Sequence, residues 1–343
     1  MQKAGGSQGL QGLKSGIYPF NLWRVKYRPI IATLFMLVLG QVVLLCGQSK
    51  ITTVSAMRVR KEPQVAAPEV TRLKLGTVVN ATTRSENQDT ISGKTDYWYL
   101  VALPGGQSGW LFGGLLLDHN PNQREQLLRQ IIEARLKAEN TDFGDRLEIY
   151  DLAAGATTDS KDVNSRAEFE LLKLLALANA ATAFRDDRSD KSPYREWLKA
   201  HSAEVILNEF AGGYNMRTEL LWKLETKYHT LPIAERIAWA AAENPQPHDC
   251  EGDEVCHLFT FADGVEYLRR HPNGAHAAEA IRDFDELLTD YVFNVTNGKE
   301  TDPYIVEDRT NVRKLLASLR LALAKTSAAG KTELLKKLDR ITP

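Results

Sequence analysis

The segment PHDCEGDEVCH, residues 247–257, contains four side chains that could bind a metal or form a disulfide: His248, Cys250, Cys256 and His257. Two histidines and two cysteines can hold zinc tetrahedrally, but adjacent ligands and the lack of a C-x-x-C pair depart from the usual spacing. If this part of the chain is exported, Cys250 and Cys256 would instead form a disulfide in an oxidising compartment. The spacing therefore favours a disulfide over zinc, and reduced thiols are the third alternative.

Motifs of known catalytic sites are missing from the sequence. GGQSGW places Trp110 where a G-x-S-x-G nucleophile elbow needs its last glycine. The sequence has no H-E-x-x-H zinc motif and no G-x-x-x-x-G-K phosphate-binding loop. Acidic stretches such as DRSDK and CEGDE are typical of solvated surface rather than of calcium sites. We predict no cofactor and no enzymatic activity; the alternative is an enzyme, or an enzyme subunit, with an unrecognised active site in the helical part.

The charge distribution argues against nucleic-acid binding. Of the 43 lysines and arginines, five precede residue 50. From residue 50 onward, 38 basic side chains stand against 44 acidic ones, so this part carries a formal charge of about −6. Nucleic-acid-binding domains usually show the opposite balance. We predict no nucleic-acid partner.

An uncharged apolar run at residues 29–49 follows a basic tail, residues 1–28, whose Gly- and Gln-rich composition predicts disorder. The run, PIIATLFMLVLGQVVLLCGQS, has 21 residues, and a membrane-spanning helix needs roughly 20. We interpret it as a retained transmembrane anchor. A cleaved signal peptide, or a lipoprotein signal ending at Cys46 in the lipobox-like VLLC, are the alternatives.

The orientation of this span does not follow from the positive-inside rule, because basic residues flank it on both sides. These are Lys14, Arg24, Lys26 and Arg28 before the run, and Lys50, Arg58, Arg60 and Lys61 after it. A short basic tail, one apolar run and a long folded remainder is the usual layout for export. We therefore predict that the C-terminal part lies outside the cytoplasm, with a cytoplasmic-facing membrane scaffold as the alternative.

Residues 53–119 contain short strand-like segments separated by Gly- and Pro-rich turns, typical of a small curled antiparallel sheet. In order along the chain, M-R-V-R-K-E-P, L-K-L-G-T-V-V, D-Y-W-Y-L-V and G-G-Q-S-G-W-L-F-G-G-L-L resemble a bacterial SH3-like domain. The resemblance implies a small β-barrel outside the cytoplasm that binds the cell wall or protein partners and carries no catalytic residues.

Aromatic side chains in this segment are the candidate ligand-binding residues. In an extended strand, Tyr97 and Val101 share one face and Trp98 lies on the other. Because Val101 marks the core face, we expect Trp98 to be the exposed floor of a groove and Trp110 to be mainly buried. The full predicted ligand-binding set is Trp98, Tyr97, Trp110 and Phe112.

From residue 121 to residue 343 the apolar residues recur every three or four positions, which predicts an all-α domain, either a bundle or a helical-repeat-like array. One predicted helix covers SPYREWLKAHSAEVILNEF, residues 192–210. YLRRHPNGAHAAEAIRDF, residues 267–284, resembles the inter-helix turn of tetratricopeptide-like repeats. That resemblance implies paired antiparallel helices with a concave protein-binding face.

The predicted fold is thus multidomain: a transmembrane or signal helix at 29–49, an SH3-like β-barrel at 53–119 and an all-α domain at 121–343. We predict a bacterial envelope protein anchored in the inner membrane, with its C-terminal part periplasmic or extracellular. Its partners would be cell-wall peptidoglycan or an envelope protein, bound through the SH3-like domain, and the helical domain would mediate further protein interactions.

Overall fold

The computed structural model of the chain describes residues 47–139, 141–184, 189–209, 212–246, 258–296 and 304–340. The predicted span at 29–49 lies outside the described residues except for its last three, and Cys46 lies outside them too. Within the described ranges, no helix is both long enough and apolar enough to cross a membrane. The segment with the predicted disulfide and alternative zinc ligands, residues 247–257, also lies outside the described part.

The first part of the described chain forms one antiparallel sheet of seven strands in the order β3-β2-β6-β5-β4-β1-β7. The strands are β1 Gln48–Thr52, β2 Met57–Arg60, β3 Glu69–Leu73, β4 Val78–Ile91, β5 Lys94–Ala102, β6 Ser108–Phe112 and β7 Leu116–Asp118. The sheet begins ahead of residue 53, because β1 pairs with both β4 and β7. The last two residues of the predicted span, Gln48 and Ser49, therefore belong to a strand.

One face of this sheet encloses a small apolar core. Alternation along β2 shows the pattern, since Met57 and Val59 are buried whereas Arg58 is exposed. The buried residues of this core are Met57, Val59, Val79, Ala81, Val101, Leu103, Leu111 and Leu116. A core of this size removes a limited apolar area from water, so a small sheet gains from packing against a further layer.

The remainder of the described chain is mainly helical. Its α-helices are α1 Arg124–Leu136, α2 Phe143–Asp159, α3 Val163–Ala181, α4 Tyr194–Ala200, α5 Glu219–Tyr228, α6 Ala234–Ala242, α7 Ala262–Arg270, α8 Ala277–Thr296, α9 Tyr304–Lys325 and α10 Lys331–Arg340. Asp142 caps α2 in a reciprocal capping box with Asp145, which satisfies backbone N–H groups that the first helical turn leaves unpaired. The helices bury two large apolar clusters, one around α3, α5 and α6 and one around α7 to α10.

The prediction that residues 192–210 form one helix is wrong. The helix ends at Ala200, and the chain then forms β8 Val205–Asn208, which pairs with β9 Gly213–Met216. Val205 and Met216 face each other across this hairpin and are buried in the apolar cluster around α3. Val205 and Ile206 are β-branched and favour extended backbone. Pairing with β9 stabilises the strand over the helix that the local pattern predicts. The helical part is therefore not purely α.

A third apolar cluster joins the sheet to the helices. Ile51 from β1 and Leu75 from the β3–β4 turn are buried against side chains of α1, α2 and α3, among them Ile132, Ile149 and Phe169. Gly47–Pro343 accordingly form one compact unit. The sheet and the helices share a core, so they are expected to move together.

A hydrogen bond and a close approach at a glycine hold the β3–β4 turn against α2 at this junction. The backbone N–H of Leu75 donates a 2.7 Å hydrogen bond to Glu148 Oε2 on α2. Gly76 follows with φ +75°, and a Cβ atom at this position would lie 2.4 Å from Leu152 Cδ1. Glycine is favoured here by its left-handed backbone, and any larger residue would also displace the Leu152 side chain of α2.

We expect Glu148→Ala to lower the free energy of unfolding by about 1–3 kcal/mol, because it leaves the buried Leu75 N–H without an acceptor. Asp151→Ala is the matched control on the same helix. Its carboxylate makes only an exposed 3.9 Å ion pair with Lys74, which is worth at most about 1 kcal/mol. Urea denaturation of both variants measures the difference, and equal destabilisation would mean that the Leu75 hydrogen bond does not hold the junction.

Candidate functional site

The β5–β6 pair sets the two faces of the sheet at the predicted ligand-binding residues. Trp98 pairs with Phe112, and Leu100 pairs with Trp110. Since partners in an antiparallel pair point to the same side, these four side chains share one face. We call it the outer face; the other face carries Val101 and the small core. The predicted alternation along β5 is therefore correct.

The prediction that Trp98 is exposed on this face is wrong. Only 3% of Trp98 is accessible. Its ring packs edge-on against Phe112 with centroids 5.7 Å apart, and its indole N–H donates a 2.7 Å hydrogen bond to Asp89 Oδ2. Trp98 therefore has an apolar neighbour and a satisfied polar atom, as buried tryptophans usually do.

The cause lies in β4, the strand beside β5. The pairing of β4 with β5 shifts register between Ala81 and Thr83 and again between Arg84 and Gln88. Such irregularities bend a strand and increase its twist. Ser85, inside the second irregular stretch, accepts a hydrogen bond from the Trp98 backbone N–H, and Asp89 beyond it reaches the indole. The far half of β4 thus supplies the polar partners of Trp98.

Trp110 is less buried than predicted. It is half-buried rather than part of the core, and the fully buried position on β6 belongs to Leu111. Trp110 lies between Leu100 on β5 and Arg60 on β2, its cross-strand partners. Of the predicted aromatic residues on the outer face, Trp110 keeps accessible ring surface, whereas Trp98 and Phe112 are buried.

Tyr97 does not share a surface with these rings. It lies on the face of β5 opposite Trp98, where the Arg84 guanidinium stands 3.9 Å above its ring centroid. A cation over an aromatic face is a favourable contact, and it covers part of the Tyr97 ring. The structure therefore brings Trp98, Phe112 and Trp110 together but places Tyr97 apart from them. The ligand-binding role of each ring stays a prediction.

Arginines around Trp110 were not among the sequence candidates. Arg60 on β2 is the cross-strand partner of Trp110. Arg58 on β2, and Arg72 and Glu69 on β3, lie on the same face, where Arg58 pairs with Arg72 and Arg60 with Glu69. The alternation in MRVR could have revealed them, because it places both β2 arginines opposite the buried Met57 and Val59. We call Trp110, Arg58, Arg60, Arg72 and Glu69 the arginine–tryptophan patch.

The patch carries three guanidinium groups and one carboxylate. Arg72 Nε donates to Glu69 Oε1 over 2.8 Å, and Arg58 Nε stands 3.5 Å from Glu69 Oε2. The Arg72 hydrogen bond lowers the pKa of Glu69, so this carboxylate remains ionised at neutral pH and orients both arginines. Arg60 is held by a 2.9 Å bond from Nη1 to the Ala67 carbonyl. The patch therefore carries a net positive charge next to the Trp110 ring, which suits an anionic ligand.

Comparison with protein families assigns the sheet. Residues 55–116 match the family model described as bacterial SH3 domain. The chain therefore contains a bacterial SH3 domain. Such domains often bind the cell wall or proteins. Neither the curated proteins nor the solved structures yielded a match to this chain.

The match confirms the SH3-like prediction for the first part of the chain. It does not extend to residues 267–284, where α7 and α8 are joined by a turn at residues 271–276. The tetratricopeptide-like resemblance of that segment is thus not supported. Among the residues that the structure describes, no group of three or more His, Cys, Asp or Glu side chains could hold a metal ion.

We expect Trp98→Ala to lower the free energy of unfolding by about 3–5 kcal/mol, as truncation of a buried ring does. It also leaves Asp89 without its indole partner. Trp110→Ala truncates a ring that is only half-buried and should cost less, about 1 kcal/mol. Chemical denaturation of both variants, followed by circular dichroism, measures the two values. A larger loss for Trp110→Ala than for Trp98→Ala would contradict the assignment of Trp98 to the interior.

Proposed function

We propose that this protein is a membrane-anchored bacterial envelope protein that binds peptidoglycan or an envelope protein through its SH3 domain. The observation that carries the proposal is the arginine–tryptophan patch on the outer face of a sheet that matches bacterial SH3 domains. The proposal assigns the chain a binding role rather than a catalytic one, consistent with the lack of known catalytic motifs in its sequence.

The chemistry of the patch supports a ligand that combines carboxylates with apolar or sugar surface. Guanidinium groups recognise carboxylates through paired hydrogen bonds. Trp110 offers a flat apolar surface beside Arg60, where a sugar ring or an apolar side chain can pack. Peptidoglycan stem peptides carry carboxylates next to sugars, and an acidic protein segment would offer the same groups. Peptidoglycan is the ligand that we favour.

The helical part has a supporting role in this proposal. Ile51 and its partner Leu117 face away from the small core and pack against α1 to α3, so the helices cover the outer face at the β1–β7 end of the sheet. The arginine–tryptophan patch lies at the opposite end, on β2, β3 and β6, where Arg58 and Arg72 are exposed. A ligand held at Trp110 would therefore be held rigidly relative to the helices. We propose that the helices mediate further protein interactions.

Trp110→Ala and Arg58→Ala should each weaken binding to purified peptidoglycan sacculi by about 1–3 kcal/mol, or roughly 5- to 150-fold in Kd. Co-sedimentation of the full-length protein with sacculi at physiological salt measures this. Arg195→Ala is the matched control, because Arg195 is an exposed arginine on α4. Thermal melts of the variants verify that the fold persists.

The two ligand classes give different outcomes in this experiment. Sacculus binding that falls in both patch variants but not in Arg195→Ala supports peptidoglycan. If sacculi do not bind, a photo-crosslinking residue at Ser108, which lies on the outer face two residues before Trp110, should capture an envelope protein in intact cells only when Trp110 is present. Binding that neither patch variant changes would exclude this face as the ligand site.

The location of residues 50–343 outside the cytoplasm is part of the same proposal. It is motivated by the apolar run at 29–49 and the long folded remainder after it. A C-terminal alkaline phosphatase fusion should therefore be active in cells, and a fluorescent protein that matures only in the cytoplasm should stay dark at the same position. The reverse pattern would support the cytoplasmic-facing scaffold.

A further inference from the structure

A cavity of about 550 Å³ opens between α1, α3 and α6, on the helical part of the molecule. Its size is within the range of small-molecule pockets, roughly 300–1,000 Å³. Its lining includes the apolar side chains of Leu136, Leu172 and Leu175. It also includes the charged side chains of Glu133, Lys137 and Arg236. An apolar lining with a few charged groups is typical of sites that orient a small amphipathic ligand.

Glu133 on α1 and Lys137, the residue directly after α1, are unpaired, although their spacing favours an ion pair. Glu133 precedes Lys137 by four residues on the same helical face, the better of the two orientations for such a pair. Nevertheless, no ion pair or side-chain hydrogen bond of either residue occurs within the described ranges. The half-buried Glu133 carboxylate and the exposed Lys137 ammonium group therefore both remain available at the cavity.

Two further lining residues, Arg236 on α6 and Asn244 just after it, are held in place by other contacts. Arg236 Nη1 lies 2.8 Å from Glu168 Oε2, which fixes this guanidinium on α6. Asn244, just after α6, donates from Nδ2 to the Ala240 carbonyl over 2.8 Å, so its Oδ1 is left as an acceptor. The cavity thus offers cations at Lys137 and Arg236, and acceptors at Glu133 and Asn244.

We propose that this cavity binds a free apolar α-amino acid such as leucine. The side chain would lie against the three lining leucines, the α-carboxylate would face Lys137, and the α-ammonium group would face Glu133. A zwitterion can pair with both Glu133 and Lys137, which neither an apolar molecule nor an ion of a single sign can do. This site is separate from the SH3 domain, and the inference does not rest on the peptidoglycan proposal.

Equilibrium dialysis of the full-length, detergent-solubilised protein against radiolabelled L-leucine tests the proposal. We expect saturable binding, and we expect N-acetyl-L-leucine and L-leucinamide to compete at least about tenfold more weakly, because each lacks one charge. Lys137→Gln and Glu133→Gln should each weaken L-leucine binding about tenfold, or ~1.4 kcal/mol. Both side chains lack partners that the fold needs, so melting temperatures should remain unchanged.

Lys199→Gln is the control, because Lys199 is an exposed lysine on α4 and does not line the cavity. Absence of saturable L-leucine binding would overturn the proposal. So would competition by the two capped compounds as strong as that of unlabelled L-leucine, which would indicate apolar binding alone. Binding that Lys137→Gln and Glu133→Gln reduce no more than Lys199→Gln would place the ligand elsewhere.

Discussion

The burial of Ile51 and Leu75 against the first three helices is the contact on which the arrangement of the protein depends. A sheet of short strands has a small core of its own, and such domains gain much of their stability from a second layer. The junction supplies that layer, and the Glu148 acceptor and the missing side chain of Gly76 allow α2 to approach the β3–β4 turn. The helices thereby cover the outer face at its β1–β7 end, and the β2–β3 end of that face is left for a ligand.

The outer face is in turn divided by β4. Its irregular pairing brings Ser85 and Asp89 to Trp98, so the half of the face near the β4–β5 turn holds the buried ring pair of Trp98 and Phe112. The half near β2 stays accessible at Trp110. Two tryptophans on one face of adjacent strands therefore have different roles: one stabilises the sheet, and the other belongs to a charged surface.

Local sequence patterns predicted the faces of the strands but not their burial. Period-two alternation correctly placed Trp98 opposite Val101, because this depends only on backbone geometry. Whether Trp98 is covered depends on a bend in another strand, which no local pattern records. The same limit explains residues 205–208. Their local pattern predicts a helix, but they form a strand because they pair with β9, which lies beyond a turn. The arginines near Trp110 could have been found from MRVR, whereas the cavity required the packing of three separate helices.

In the described helical part, some charged side chains are buried and paired, whereas others remain unpaired at the surface. Glu225 on α5 is only 3% exposed, and it bonds to Arg270 and His271 at the end of α7. A buried carboxylate without partners would be strongly destabilising, so this network fixes α5 against α7, and Glu266 pairs with Arg270 one turn away. Glu133 and Lys137 have the same four-residue spacing but remain apart at the rim of a cavity. The four-residue spacing would allow an ion pair both between Glu266 and Arg270 and between Glu133 and Lys137. Arg270 is positioned by the buried Glu225 carboxylate, whereas no buried charge positions Glu133 or Lys137 among the described residues.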